Sequence, residues 1–121
     1  LMLLELMMLL NSTSRQLALI VLSGRRRRMN NPINTFQQLM AISAEECAEL
    51  TQVCMKVMRK YDNMEDMSDD KWQEKLVEEA GDVLCMIELM VEHGLLTNEE
   101  LGARVTVKRD KLKVWSDLIN D

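Results

Sequence analysis

At 121 residues with a formal net charge of −5, the chain is long enough for one domain with a modest core and too short for several. Two Trp, one Tyr and one Phe stand against eleven Met, with one Pro and four Gly. That composition, almost without β-branched alternation, excludes a β-rich fold and points to an all-α protein whose core comes from Leu, Val, Ile and Met. The charge is divided unevenly: residues 1–28 hold five Arg and one Glu (+4), and residues 29–121 hold ten Lys/Arg and nineteen Asp/Glu (−9).

So acidic a body repels a phosphate backbone, and no nucleic-acid partner is expected. Cys47, Cys54 and Cys85 form no CxxC pair. Cys47 and Cys54 lie two turns apart on one helix face, which reads as buried thiols in a reducing, cytoplasmic compartment.

Residues 1–28, "LMLLELMMLLNSTSRQLALIVLSGRRRR", form an N-terminal extension unlike the rest. Glu5 and "NSTSRQ" interrupt its apolar run, which falls short of the ~20 residues of a membrane span. It has no basic start or clear cleavage site, so a signal peptide is not expected, and it reads as an upstream extension or an arm that packs on a partner. Met29 opens a cleanly patterned segment, residues 29–121, and reads as the natural start of a helical domain.

A first helix is expected from Asn34 to Lys60, with Thr35 as N-cap and apolar residues recurring from Phe36 to Met58. "YDNMEDMSDD", residues 61–70, reads as an acidic loop without a period. Ser68 is expected to start a second helix running to Glu92 and ending at "HG" under a glycine cap. Thr97 and Glu100 form a capping box for a third helix reaching about Leu118. Three amphipathic helices with short connections imply an antiparallel bundle, and one this small is expected to complete its core by oligomerising.

At about 100° per residue, the second helix buries Leu76, Ala80, Val83, Leu84, Ile87, Met90 and Val91. Glu78, Glu88 and Glu92 fall on the solvent side. Glu79 instead falls between Met86 and Met90, and Asp82 beside Leu89. On the first helix Glu45 faces water, whereas Glu46 falls between Val53 and Val57 and Glu49 beside Ile42. Each helix thus offers two carboxylates three residues apart on the border of its packing face.

Antiparallel packing would gather Glu46, Glu49, Glu79 and Asp82 around one point. Unpaired carboxylates in such a space lose hydration and repel, so protons or a cation must neutralise them. Oxygen-only ligation suits Mg²⁺, or Mn²⁺. Magnesium held by a few carboxylates commonly takes phosphates as its other ligands, which points to a phosphate ester or nucleotide. The third helix adds Lys108, expected in the middle of an apolar stripe of Leu101, Val105, Leu112, Trp115 and Ile119, with Arg104 and Lys111 bordering it. Trp72 and Trp115 are read as packing residues in preference to platforms that stack on a base, and His93 as a helix-end complement to the dipole.

"EECAEL" (45–50) followed by "EEAGDV" (78–83) resembles the EExxE…ExxD signature of the MazG-like all-α nucleoside triphosphate pyrophosphohydrolases. The likeness spans roughly Pro32 to Trp115, and "VKRDKLKVWSDL" resembles the basic third-helix region of small members. The stretch between the two halves, residues 50–78, is long for the signature because of the acidic loop. The resemblance implies a homodimer or homotetramer that splits a (d)NTP into the monophosphate and pyrophosphate with Mg²⁺. It implies Glu46, Glu49, Glu79 and Asp82 as metal ligands, with Glu45 in support. Lys108, Lys111 and Arg104 would hold phosphates. Glu46 or Glu49 would orient or deprotonate the water that attacks the α-phosphorus. Three alternatives remain open: phosphoribosyl-ATP hydrolysis within the same superfamily, a non-catalytic helical oligomerisation module, and a membrane-surface protein driven by residues 1–28.

Overall fold

The structure, a computed structural model, describes residues 33–68 and 71–120. The N-terminal extension and the suspected start at Met29 lie outside the described residues. Four helices are found among the described residues: α1 (Thr35–Lys60), α2 (Met64–Met67), α3 (Lys71–Glu92) and α4 (Asn98–Trp115). No helix among them is long and apolar enough to cross a membrane.

Helix α1 starts one residue earlier in its logic than the sequence indicated. Asn34, not Thr35, is the N-cap, in extended conformation. Its Oδ1 accepts from the Gln37 amide at 2.8 Å, and the Gln37 side chain accepts from the Asn34 amide at 3.1 Å. Asn is a better cap than Thr because its amide oxygen reaches the third helical N–H with less rotamer restriction. Replacing Asn34 with Ala is expected to cost about 1 kcal/mol, read as a lower midpoint in thermal unfolding followed by circular dichroism.

The acidic loop is not featureless. Asn63 caps the four-residue α2 by accepting from the Asp66 amide at 2.9 Å, and Glu65 and Asp66 sit in its first turn, where carboxylates favour a helix start. Ser68, expected to open the second long helix, is instead the C-cap of α2, and α3 begins at Lys71. At the other end α3 closes as expected. Gly94 adopts φ +79°, the left-handed conformation that turns the chain, and the Leu95 amide bonds back to the Met90 carbonyl at 2.9 Å. The capping box of Thr97 and Glu100 opens α4 with reciprocal bonds of 3.1 and 3.2 Å. α4 stops at Trp115, three residues short of the expected end, because Ser116 takes an extended conformation and caps the Leu112 carbonyl.

The described residues divide into two compact units between Ile87 and Glu88, within α3. In the first, α1 and the N-terminal part of α3 pack together. Lys56 on α1 meets Trp72 on α3, while Glu46 and Glu49, lower in number, meet Glu79 and Asp82, higher in number. The pairing is therefore antiparallel, as expected. Both helices present residues at alternating three- and four-residue steps, Glu46/Glu49/Val53/Lys56 and Trp72/Lys75/Glu79/Asp82/Met86, the spacing that keeps a seam between paired helices.

That seam corrects the expected apolar stripe. On α3 the buried residues are Glu79 and Met86; Ala80 is exposed, and Leu84 and its neighbour Val77 are 56 % and 68 % exposed. On α1 the buried set is Leu39, Ala41, Ser43, Ala48 and Val53. Cys47 and Cys54, expected to be buried, are exposed on the same face as Phe36 and Met58. In the second unit α4 buries no residue, and its expected seam fails: Val105 and Trp115 are exposed, Trp115 to 84 %. Lys108, expected in the centre of that seam, is exposed as well.

Candidate metal centre

One carboxylate oxygen from each of Glu46, Glu49, Glu79 and Asp82 can be chosen so that all four lie within 4.8 Å of one another. Two adjacent turns of α1 and two of α3 supply them, and the antiparallel register brings them together. The paired glutamates of α3 part as the helical arithmetic indicates. The Glu78 side chain is 60 % exposed, whereas Glu79 is 2 % exposed. Glu46 and Glu49 are half-buried, and Asp82 is exposed, so the group opens to solvent on the Asp82 side. Glu45 lies outside the cluster but its charge acts on Glu46.

The electrostatics follow from burial and like charge. Burial, a hydrogen bond to Glu79 and the charge of Glu46 push the Glu49 carboxyl up to about 8. Glu46 is raised too, first by burial and then by the charge of Asp82. The Oε2 atoms of Glu46 and Glu79 are buried with no hydrogen-bond donor. A proton kept on Glu49 removes one of the like charges crowded beside these oxygens. A divalent cation would satisfy the same oxygens and remove the repulsion altogether. The donor set is all oxygen, two of them orphaned and inward, and it fits a hard cation.

One cation is already present. Lys75 Nζ lies 3.2 Å from Glu79 Oε1 and 3.3 Å from Glu78 Oε2. These bonds, to Glu79 first and Glu78 second, hold its ammonium above the usual lysine range. Lys75 offsets part of the charge on Glu79 and leaves the other oxygen facing the cluster.

Beyond Lys75 the seam continues into a cavity of about 290 Å³ lined by Gln52, Val53, Lys56, Lys71, Trp72 and Lys75. The cations expected to hold phosphates lie on α4 instead. Arg104, Lys108 and Lys111 are exposed residues of the second unit. Lys75 and Trp72 were not singled out as site residues, although Lys75 stands one helical turn before Glu79, at the i,i+4 spacing that pairs an ammonium with a carboxylate. Trp72, for which packing is favoured over stacking on a base, is half-buried in the cavity wall. No protein-family model, curated protein sequence or solved structure matches the chain.

Proposed function

We propose that this protein is a divalent-cation-dependent nucleoside triphosphate pyrophosphohydrolase. It would convert a (d)NTP and water to the monophosphate and pyrophosphate. The observation that carries the reading is the four-carboxylate cluster of Glu46, Glu49, Glu79 and Asp82, with two buried oxygens that have no donor. The resemblance of "EECAEL…EEAGDV" to the MazG-like signature supplies the reaction class.

Glu46, Glu49, Glu79 and Asp82 would hold Mg²⁺, with Mn²⁺ as a substitute. When bound, the cation supplies charge stabilisation to the phosphate oxygens. The chain's own residues do the rest. Glu49, whose carboxyl holds a proton up to about pH 8 in the bare cluster, is the group best tuned to exchange one near neutrality. Once its charge is balanced, its carboxylate accepts the proton of the attacking water. The water oxygen bonds the α-phosphorus as the bond to the bridging oxygen breaks, and pyrophosphate departs with that electron pair. Glu79, held by Lys75, fixes the cluster's geometry.

The test is incubation of the purified chain with each ribo- and deoxynucleoside triphosphate, and with phosphoribosyl-ATP, in the presence of Mg²⁺. Pyrophosphate release is expected for at least one substrate, and Glu49→Gln is expected to lower it by at least about a hundredfold. Failure to turn over any substrate would sink the enzyme reading.

A second reading, a non-catalytic oligomerisation module, draws on the exposed apolar residues Phe36, Met58, Val77 and Leu84. A homodimer or homotetramer suits both readings, so light scattering alone does not choose between them. Turnover does.

A further inference from the structure

One lysine joins the two adjacent glutamates of α3, and on the buried one it grips a single oxygen. Lys75 Nζ lies 3.2 Å from Glu79 Oε1 and 3.3 Å from Glu78 Oε2. Glu79 is 2 % exposed, and its Oε2 is buried with no donor. The same side chain supplies one of the four oxygens that lie within 4.8 Å of one another. The two oxygens of Glu79 therefore have different duties: one is paired, and the other is left among carboxylates that call for a cation.

Helix stability does not account for Lys75. An ion pair four residues apart on a helix favours the order glutamate then lysine, and here the lysine comes first. The Lys75 side chain is 34 % exposed, so water screens the pair. What the contact fixes is orientation. The last torsion of a glutamate side chain is broad and roughly two-fold, so a carboxylate without a partner can exchange its two oxygens. With Oε1 held by Lys75, the Glu79 carboxylate keeps one setting. Glu78, on the solvent side, holds the same ammonium and completes a clasp of Glu78, Lys75 and Glu79.

The clasp carries a charge of the wrong sign for a cation centre, because an ammonium beside a ligand repels a divalent ion. Glu78 offsets that charge, and solvent screens it. Glu79 is buried, so its orientation acts on the centre undiminished. Orientation outweighs repulsion.

We propose that Lys75 is a positioning residue of the metal centre, holding Oε1 of Glu79 so that Oε2 alone is presented to the cation. The cation rests on the divalent-cation reading above; the clasp rests on the two contacts of Lys75. A partner that orients a ligating carboxylate commonly contributes about ten- to a hundredfold in metal affinity.

The probe is Mn²⁺, titrated at pH 7 into the full chain without nucleotide and followed by electron paramagnetic resonance. Lys75→Met keeps the apolar stem and removes the ammonium. It is expected to weaken Mn²⁺ binding about tenfold, whereas a lysine acting by repulsion alone would strengthen binding when removed. Lys75→Arg should bind within about threefold of the unchanged chain, because a guanidinium can grip the same oxygen. Lys71→Met, which removes a lysine that stands over the Trp72 ring instead, should leave binding unchanged. Circular dichroism checks folding, and Lys75→Gln replaces Lys75→Met where the latter does not fold.

Mn²⁺ binding that is unchanged or tighter in Lys75→Met, or that is weakened as much by Lys75→Arg or Lys71→Met, would overturn the clasp and leave the metal centre. No Mn²⁺ binding to the unchanged chain would overturn both. Mn²⁺ binding that depends on Lys75 in a protein that turns over no nucleotide supports the clasp and removes the enzyme.

Discussion

Replacing Glu79 with Gln is expected to make the metal-free protein more stable and to abolish its response to Mg²⁺. In the bare cluster Glu79 is 2 % exposed, and its Oε2 meets no donor. Lys75 compensates only one of its oxygens, and a buried carboxylate compensated in part carries a desolvation and repulsion cost that a neutral group of the same shape removes. The amide also brings two donors into a space crowded with carboxyl oxygens, those of Glu46, Glu49 and Asp82 within 4.8 Å. Against this stands the ion pair with Lys75. Lys75 keeps Glu78 at 3.3 Å, and a partly exposed pair is worth at most about 1 kcal/mol. Repulsion wins, and the net gain should be about 1 kcal/mol. That corresponds to a rise of roughly 4–8 °C in the unfolding midpoint for a domain of this size. The same substitution removes a charged ligand, so thermal stabilisation by Mg²⁺ should vanish and pyrophosphate release should fall at least about a hundredfold. Stability gained where function is lost marks strain kept for a purpose. A destabilised Glu79→Gln protein that still responds to Mg²⁺ would mean that Glu79 is an ordinary paired side chain.

The sequence made Glu79 stand out, yet it misjudged what surrounds it. Helical periodicity found three long helices because each carries a strong local signal: the Thr97 box, the Gly94 turn, and the apolar recurrence from Phe36 to Met58. It separated Glu78 from Glu79 because adjacent residues on a helix differ by about 100°. It failed where the answer depends on a neighbouring helix. The average of the apolar positions on α3 points to Ala80 and Leu84, but the arc that meets α1 is centred on Lys75, Glu79 and Met86. No plot of one helix shows which arc its partner selects. Cys47 and Cys54 share that fate, lying on the face of α1 away from the seam. On α4 the apolar residues are too scattered to bury any of them, and Lys108, placed in a seam by its spacing alone, is exposed. Short-range chemistry was equally hard to read at Asn34, where two adjacent candidates can cap, and at Asn63, whose four-residue helix is too short to show a period. Lys75 and Trp72 matter through what the register brings opposite them, and register is a property of the pair.

The second large effect concerns pH. Burial and neighbouring carboxylates raise Glu49 from an ordinary 4.5 to about 8, and raise Glu46 as well. The folded protein therefore binds these protons more tightly than the unfolded chain. Their contribution to stability is fully present below about pH 4.5 and is lost as pH rises to about 8. Lys75 is raised above 10.5, so its contribution is lost only in more alkaline solution and leaves the window unchanged. Without metal, the unfolding midpoint should fall steadily from pH 5 to pH 8, and Glu49→Gln should flatten that decline. Mg²⁺ must displace the proton on Glu49 to bind, so its stabilising effect should grow over the same range. At a concentration a hundred times its dissociation constant it adds about 2.7 kcal/mol, a shift on the order of 10 °C. Below pH 6, where protons hold the site, the shift should nearly vanish. Calorimetric titration at pH 7 in two buffers of different ionisation heat should register proton release on Mg²⁺ binding. A metal-free midpoint that rises between pH 5 and pH 8, or a Mg²⁺ shift that is the same at both, would show that the four carboxylates do not share their protons. Glu49 could then not be the group that exchanges a proton with water.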